Sequence, residues 1–125
     1  MTRSSLDMLR KPMDLPFAPD EEVVRCCTAS YDVGTSLSSI WRLGNFYLTN
    51  KRLLFLQVKK IIFAICLRDI KEIDIVKRRW ILGKQVKQLS ILRESGGNRR
   101  VHIAIKDPEK WKEEIEESWR KPGSL

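Results

Sequence analysis

The chain has 125 residues, of which 42% are hydrophobic and 32% charged, with a formal net charge of +8. That length fits one domain around one packed core, and the composition is too apolar for a disordered chain. The longest apolar stretch, Leu53 to Leu67, is split by Gln57, Lys59 and Lys60, which leaves nothing near the roughly 20 residues of a membrane-crossing helix.

Residues 1–19 carry Lys11-Pro12 and Leu15-Pro16 and end at Pro19, so they predict an arm, flexible or packed on the domain, rather than a long regular element. They lack the continuous apolar core of a signal peptide. Three cysteines, two of them adjacent at 26 and 27, form neither a disulfide framework nor a spaced set of metal ligands, and they read as small buried hydrophobes in a reducing compartment. The expectation is a cytoplasmic protein with no metal and no cofactor.

The run Glu22 to Asp32 is rich in β-branched and aromatic residues and ends in a Gly, Thr and Ser cluster, which predicts a first strand and a loop. Ile40 to Leu48 and Arg52 to Val58 are two further β-prone runs. Thr49-Asn50-Lys51 joins them as a hairpin turn, with Asn50 expected to take the left-handed backbone. Lys59-Lys60 turns the chain into a fourth strand, Ile61 to Leu67. Then Ile73 and Ile75 alternate with Glu72 and Asp74, the period of a half-buried strand. Val86 to Leu92 follows a turn at Gly83, and Val101, Ile103 and Ile105 follow the loop Ser95 to Asn98, giving strands six and seven.

At Asp107-Pro108 the pattern changes. Asp107 suits an N-cap and Pro108 a first helical position, while Trp111, Ile115 and Trp119 recur every four residues, so an amphipathic helix over about 107–121 closes the domain. Arg120 and Lys121 suit its dipole, and Pro122-Gly123 stops it. Many short strands followed by one helix with an apolar stripe are satisfied by a β-barrel whose open end the helix plugs. Residues 20–121 are thus the domain and 122–125 a tail.

The whole charge excess sits in about a quarter of the chain. Between Ile75 and Lys106 there are nine basic residues against the single acid Glu94, and the remainder is neutral. A local positive field follows. Basic residues also keep exposed strands soluble, so the asymmetry by itself leaves an anionic partner and a solvated face both open.

The run GNFYLTNKRLLFL, Gly44 to Leu56, resembles the signature hairpin of GRAM domains and of related bacterial and archaeal PH-like domains. Glu21-Glu22-Val23-Val24 before it, Leu67 to Ile73 after it and the DPEKW start of the helix fit the same family. The resemblance implies a mainly β fold with one α-helix: a seven-stranded antiparallel barrel of two near-orthogonal sheets, capped by the C-terminal helix, without catalysis, that binds lipid head groups, membranes or proteins. In members that bind phosphoinositides the loop between strands one and two supplies most of the cations. Here that loop, DVGTSLSSIWR, has none before Arg42. The family's topology also implies that Lys59 and Lys60 lie near Arg99 and Arg100, with Trp80 at the opposite end.

The residues expected to meet an anion are Lys59, Lys60, Lys77, Arg78, Arg79, Lys84, Lys87, Arg99 and Arg100. At about 1 kcal/mol each near an anionic membrane, four such cations supply about 4 kcal/mol, which is only millimolar binding, so an anchor is needed. Trp80, Ile81 and Leu82, set between cations, are the candidate anchor, against the plainer reading that strand five continues and packs Trp80 or Ile81 inside. His102 reads as structural, and no catalytic motif is visible. The first functional reading is peripheral attachment to anionic lipid, on the inner face of a membrane. The second is a protein-interaction or oligomerisation domain, because Leu53, Leu54, Phe55 and Leu56 put apolar residues on both faces of one strand. The third is nucleic-acid binding, which a pI near 9.7 permits but which lacks evident solvent aromatics for stacking.

Overall fold

The computed structural model describes residues 17–34, 40–80, 84–95 and 99–119. Seven strands run in sequence: β1 Val23–Asp32, β2 Trp41–Thr49, β3 Arg52–Gln57, β4 Lys60–Cys66, β5 Ile70–Arg79, β6 Gln85–Arg93 and β7 Arg100–Ala104; helix α1, Pro108–Trp119, follows. One 3-10 turn, Leu67–Asp69, joins β4 to β5. The expected seven antiparallel strands and closing helix are therefore present. They form a single sheet in the order β4-β3-β2-β1-β7-β6-β5, curled into a half-barrel.

The curl turns on β1. It pairs with β2 along its whole length but with β7 only at Ser30↔Ala104 and Tyr31↔Ile103. One strand thus carries both halves of the sheet, and past Tyr31 the two ladders part. Period-two alternation then sends one side chain in two to the concave face. Ala29, Phe46, Leu48, Leu53, Phe55, Ile73, Leu89, Ile91 and Ile103 form the core there, with Trp111 and Ile115 of α1 closing it and Trp119 packed half-buried at its edge. Arg25 of β1 ties the helix down through an ion pair with Glu114 and lies over the Trp111 ring.

The hairpin β2–β3 is where expected, but its turn is built differently. Among the described residues the non-glycine positions with positive φ are Val58 and Asp107, at 59° and 54°, and Asn50 is not one of them. The Thr49 hydroxyl makes the turn instead, accepting from the N–H groups of Lys51 and Arg52 at 3.1 and 3.0 Å. Asn50 uses its side chain to accept from the Glu22 N–H at 2.9 Å. The left-handed residue falls in the next turn at Val58, so β3 stops at Gln57. A further correction concerns Cys66, which is exposed, while Cys26 and Cys27 are half-buried.

The convex face of β3 was expected to need a cover, and it has one. Leu54 and Leu56 are at most 1% exposed and cluster with Tyr47, Val23, Cys26, Ala64 and Phe17. The Phe17 ring meets Tyr47 edge to face at 5.4 Å. The exposed apolar strand that motivated the protein-interaction reading is therefore not exposed. Residues 1–16 of the expected arm lie outside the described residues.

At the helix start Pro108 is the first residue of α1. The backbone carbonyl of Asp107 accepts from the N–H groups of Lys110 and Trp111 at 3.1 and 3.2 Å, and its left-handed backbone is one that Asp tolerates. Arg120, Lys121 and the Pro122-Gly123 stop lie outside the described residues.

Gly44 of β2 faces Phe55. A Cβ there would stand 2.5 Å from the Leu56 carbonyl oxygen and 2.9 Å from the Phe55 ring. The backbone oxygen cannot step aside without disturbing the β2–β3 ladder. Gly44→Ala is therefore expected to cost about 1–3 kcal/mol through overpacking, read as a lowered urea midpoint. An unchanged midpoint would show that β2 and β3 are not held this close.

Candidate functional site

Where β7 leaves β1 a cleft opens. It has a volume of about 670 Å³ and is lined by Tyr31, Asp32, Val33 and Gly34 from the β1 side, Arg78 of β5, Arg93 of β6, and Arg99, Arg100, Val101 and His102 at β7. Its cause is the short β1–β7 ladder: beyond Tyr31↔Ile103 the two strands no longer bond each other, and side chains line the gap between them. Four arginines face one aspartate across it.

Asp32 organises the rim. One of its oxygens accepts from the N–H groups of Gly34 at 2.9 Å and Ile40 at 3.0 Å, which holds Gly34 and Ile40 to the end of β1. The other takes the Arg78 guanidinium at 3.1 Å, and the Asp32 side chain is only 6% exposed. Arg78 also donates to Gln88 at 3.0 Å and lies over the Trp41 ring, so it is held in place by three groups. Arg93 pairs with Asp69 at 3.2 Å. Arg100 pairs with Glu72, approaches Asp74 at 3.5 Å and donates to Ser90 at 3.1 Å. Arg99 is exposed and makes no ion pair with a described residue. Three fixed guanidinium groups and one unpaired one thus converge on the same space. Guanidinium is the side chain whose planar fork suits phosphate or carboxylate oxygens.

His102 sits among them. Burial, then the nearby Arg78 and Arg100 charges, hold its imidazole below the ordinary histidine range, against the opposing pull of Asp32. Its outward placement agrees with the alternation of β7, but it lines the cleft rather than standing apart from charged groups.

The expected anion-binding residues divide into several places. Arg78, Arg99 and Arg100 line the cleft. Lys59 and Lys60 are exposed at the β3–β4 turn and are not among its lining residues, so the cleft does not unite them with Arg99 and Arg100. Lys77, Arg79 and Lys84 are exposed on the β5–β6 hairpin and make no ion pair with a described residue. Lys87 stands directly across from Lys77, a like-charge pairing that costs stability, and is offset by Glu109 of α1 at 2.7 Å.

The acids that seemed absent from the basic stretch 75–106 are supplied in space by Asp32, Asp69, Glu72, Asp74 and Glu109. The positive excess is correspondingly smaller at Arg78, Lys87 and Arg100 than the sequence implies. Asp32, Arg93 and His102 were missed as site residues because only the β1–β7 split brings them together.

Strand β5 continues to Arg79, and Trp80 follows it half-buried, its N–H bonded to the Lys84 carbonyl at 2.7 Å. It lines an apolar groove on the convex face rather than entering the core. Ile81, Leu82 and Gly83 lie outside the described residues. No group of three metal-ligating side chains occurs among the described residues, and no described helix is long and apolar enough to cross a membrane.

Solved structures share this architecture at low identity. The N-terminal PH domain of Vps36 is similar with a TM-score of 0.60 and 12% identity, over 88% of this chain and 87% of that one. The PH domain of human pleckstrin homology domain-containing protein family A member 5 gives 0.59 and 13%, again over 88% and 87%. The C-terminal domain of a Leishmania infantum protein gives 0.61 and 16%, over 81% and 86%. No family model matches the sequence, and no curated protein matches it. The fold is pleckstrin-homology-like.

Proposed function

We propose that the chain is a non-enzymatic binding module that attaches peripherally to membranes by holding an anionic phosphate head group in the β1–β7 cleft. The observation that carries this reading is the convergence of Arg78, Arg93, Arg99 and Arg100 on one cavity with a single aspartate in its wall. Ion-paired arginines still have donors to offer, because each guanidinium carries five N–H groups, and their partners fix them in place before a ligand arrives. Preorganisation of this kind lowers the ordering cost of binding. The exposed Lys77, Arg79 and Lys84 add long-range attraction of about 1 kcal/mol each at an anionic surface. The GRAM-like hairpin at residues 44–56 belongs to the same reading, as does a place on the inner face of a membrane, where anionic lipid is concentrated.

Sedimentation with phosphatidylcholine vesicles, with and without phosphatidylserine, tests it at low salt. Binding is expected only to the anionic vesicles, and Arg99→Glu, which reverses the unpaired cation without breaking a recorded ion pair, is expected to weaken it about 10- to 30-fold. Arg78 is the wrong residue for this test, since its loss would also strand buried Asp32. No binding to anionic vesicles, or binding untouched by Arg99→Glu, overturns the proposal.

A further inference from the structure

We infer that the apolar groove beside the cleft takes one alkyl chain of the same anionic phosphate amphiphile whose head group the cleft holds; this rests on the reading just given and names its ligand as a phosphate-bearing lipid. The groove, of about 370 Å³, is lined by Leu43 of β2, Trp80, Val86 of β6, and Ala104, Ile105 and Lys106 at the end of β7, among others. That volume lies at the small end of ligand cavities.

Its walls are apolar and partly open to water: Leu43 is 64% exposed, and the half-buried Trp80 ring lines the same groove. The groove also adjoins the cleft along two strands. Val86, in the groove, is the direct cross-strand partner of Arg78, in the cleft. On β7, His102 lines the cleft and Ala104 the groove, two residues or about 7 Å further along the same face. A phosphate held by Arg78 therefore delivers its first methylenes to Val86 and Ala104. Lys106 at the rim repels a second cation and accepts anionic company, which favours an amphiphile over a neutral hydrocarbon.

A series of n-alkyl phosphates from ethyl to decyl, kept below micelle formation and titrated into the full chain, reads this directly. Affinity is expected to rise roughly fourfold for each methylene buried, then level off as the groove fills. Leu43→Gln, a neutral change at a 64%-exposed position, is expected to flatten that rise while ethyl phosphate, too short to fill the groove, still binds. A brominated decyl phosphate is expected to quench wild-type fluorescence more than that of Trp80→Phe, which locates the chain even if the Gln variant folds poorly. Equal affinity across the series, or equal quenching in both proteins, overturns the groove. If ethyl phosphate and anionic vesicles bind while chain length has no effect, only this inference fails. If neither binds, the head-group reading fails and the groove falls with it.

Discussion

Trp111→Ala is expected to remove about 3–5 kcal/mol of stability, the range for a large aromatic cut from a packed core. Trp111 is 1% exposed, its ring centroid is 4.9 Å from that of Phe46, and the Arg25 guanidinium lies 5.7 Å from it. Ile115, the other large α1 side chain fully buried there among the described residues, is much smaller and Trp119 sits only at the edge, so the space Trp111 leaves cannot collapse cheaply. A domain of this length is typically stable by about 5–15 kcal/mol, and the variant is expected to be unfolded or nearly so at moderate urea. Trp119→Ala, at a half-buried edge position, is the control and is expected to cost clearly less. A Trp111→Ala loss below about 1 kcal/mol would show that the helix does not close the core.

The helix and its plug were legible because they are local. Trp111, Ile115 and Trp119 share a face at a spacing of four, and Pro108 can begin a helix without losing a hydrogen bond it would otherwise make. The β2–β3 hairpin was legible for the same reason, since two apolar runs flank a three-residue polar break. The identity of the left-handed residue was not. Asn50 has the better propensity, but the Thr49 hydroxyl already satisfies the turn's N–H groups, and the left-handed residue, Val58, belongs to the separate β3–β4 turn. Propensity ranks residues one at a time and cannot see that neighbour.

The cleft was only half legible. Arg78, Arg99 and Arg100 could be picked out by charge, but their positions depend on where β7 parts from β1, a contact between residues more than seventy apart. The same distance hid the acids. Asp32 is far from Arg78 in sequence and 3.1 Å from it in space, and Glu109 reaches Lys87 across the junction of sheet and helix. A charge count along the chain overstates the field wherever antiparallel pairing returns acids to the basic stretch. Trp80 illustrates a third case: its half-buried place between strand end and groove is neither the core position nor the fully exposed anchor that its neighbours Lys77 to Lys84 suggested.

The second large effect is expected at Glu21 and Arg52. Glu21 is 0% exposed. Arg52 grips both its oxygens at 2.9 and 3.0 Å, the Thr49 hydroxyl donates at 2.6 Å and the Ala18 N–H at 3.1 Å. Burial pushes this carboxyl up, but the bonds from Arg52, Thr49 and Ala18 outweigh it and hold it below the ordinary 4.5. A depressed carboxyl stabilises the fold above 4.5 and loses that contribution as pH falls through its folded value.

Arg52→Ala inverts the balance. A buried carboxylate then has only neutral donors, and the cost is expected near 3 kcal/mol at neutral pH, at the low end for a broken buried pair because the Arg52 side chain is itself 25% exposed. With burial opposed only by the neutral donors Thr49 and Ala18, the carboxyl is expected to titrate above its unfolded value, so the variant regains stability as pH falls and the gap to wild type narrows toward pH 4. Glu21→Gln in the Arg52→Ala background removes the stranded charge and is expected to recover much of the loss, since Thr49 and Ala18 can still bond an amide oxygen. Urea midpoints of the three proteins at neutral and acid pH decide it. A gap that stays constant with pH, or a double variant no better than Arg52→Ala, would show that the pair contributes packing rather than charge neutralisation beneath the β2–β3 turn.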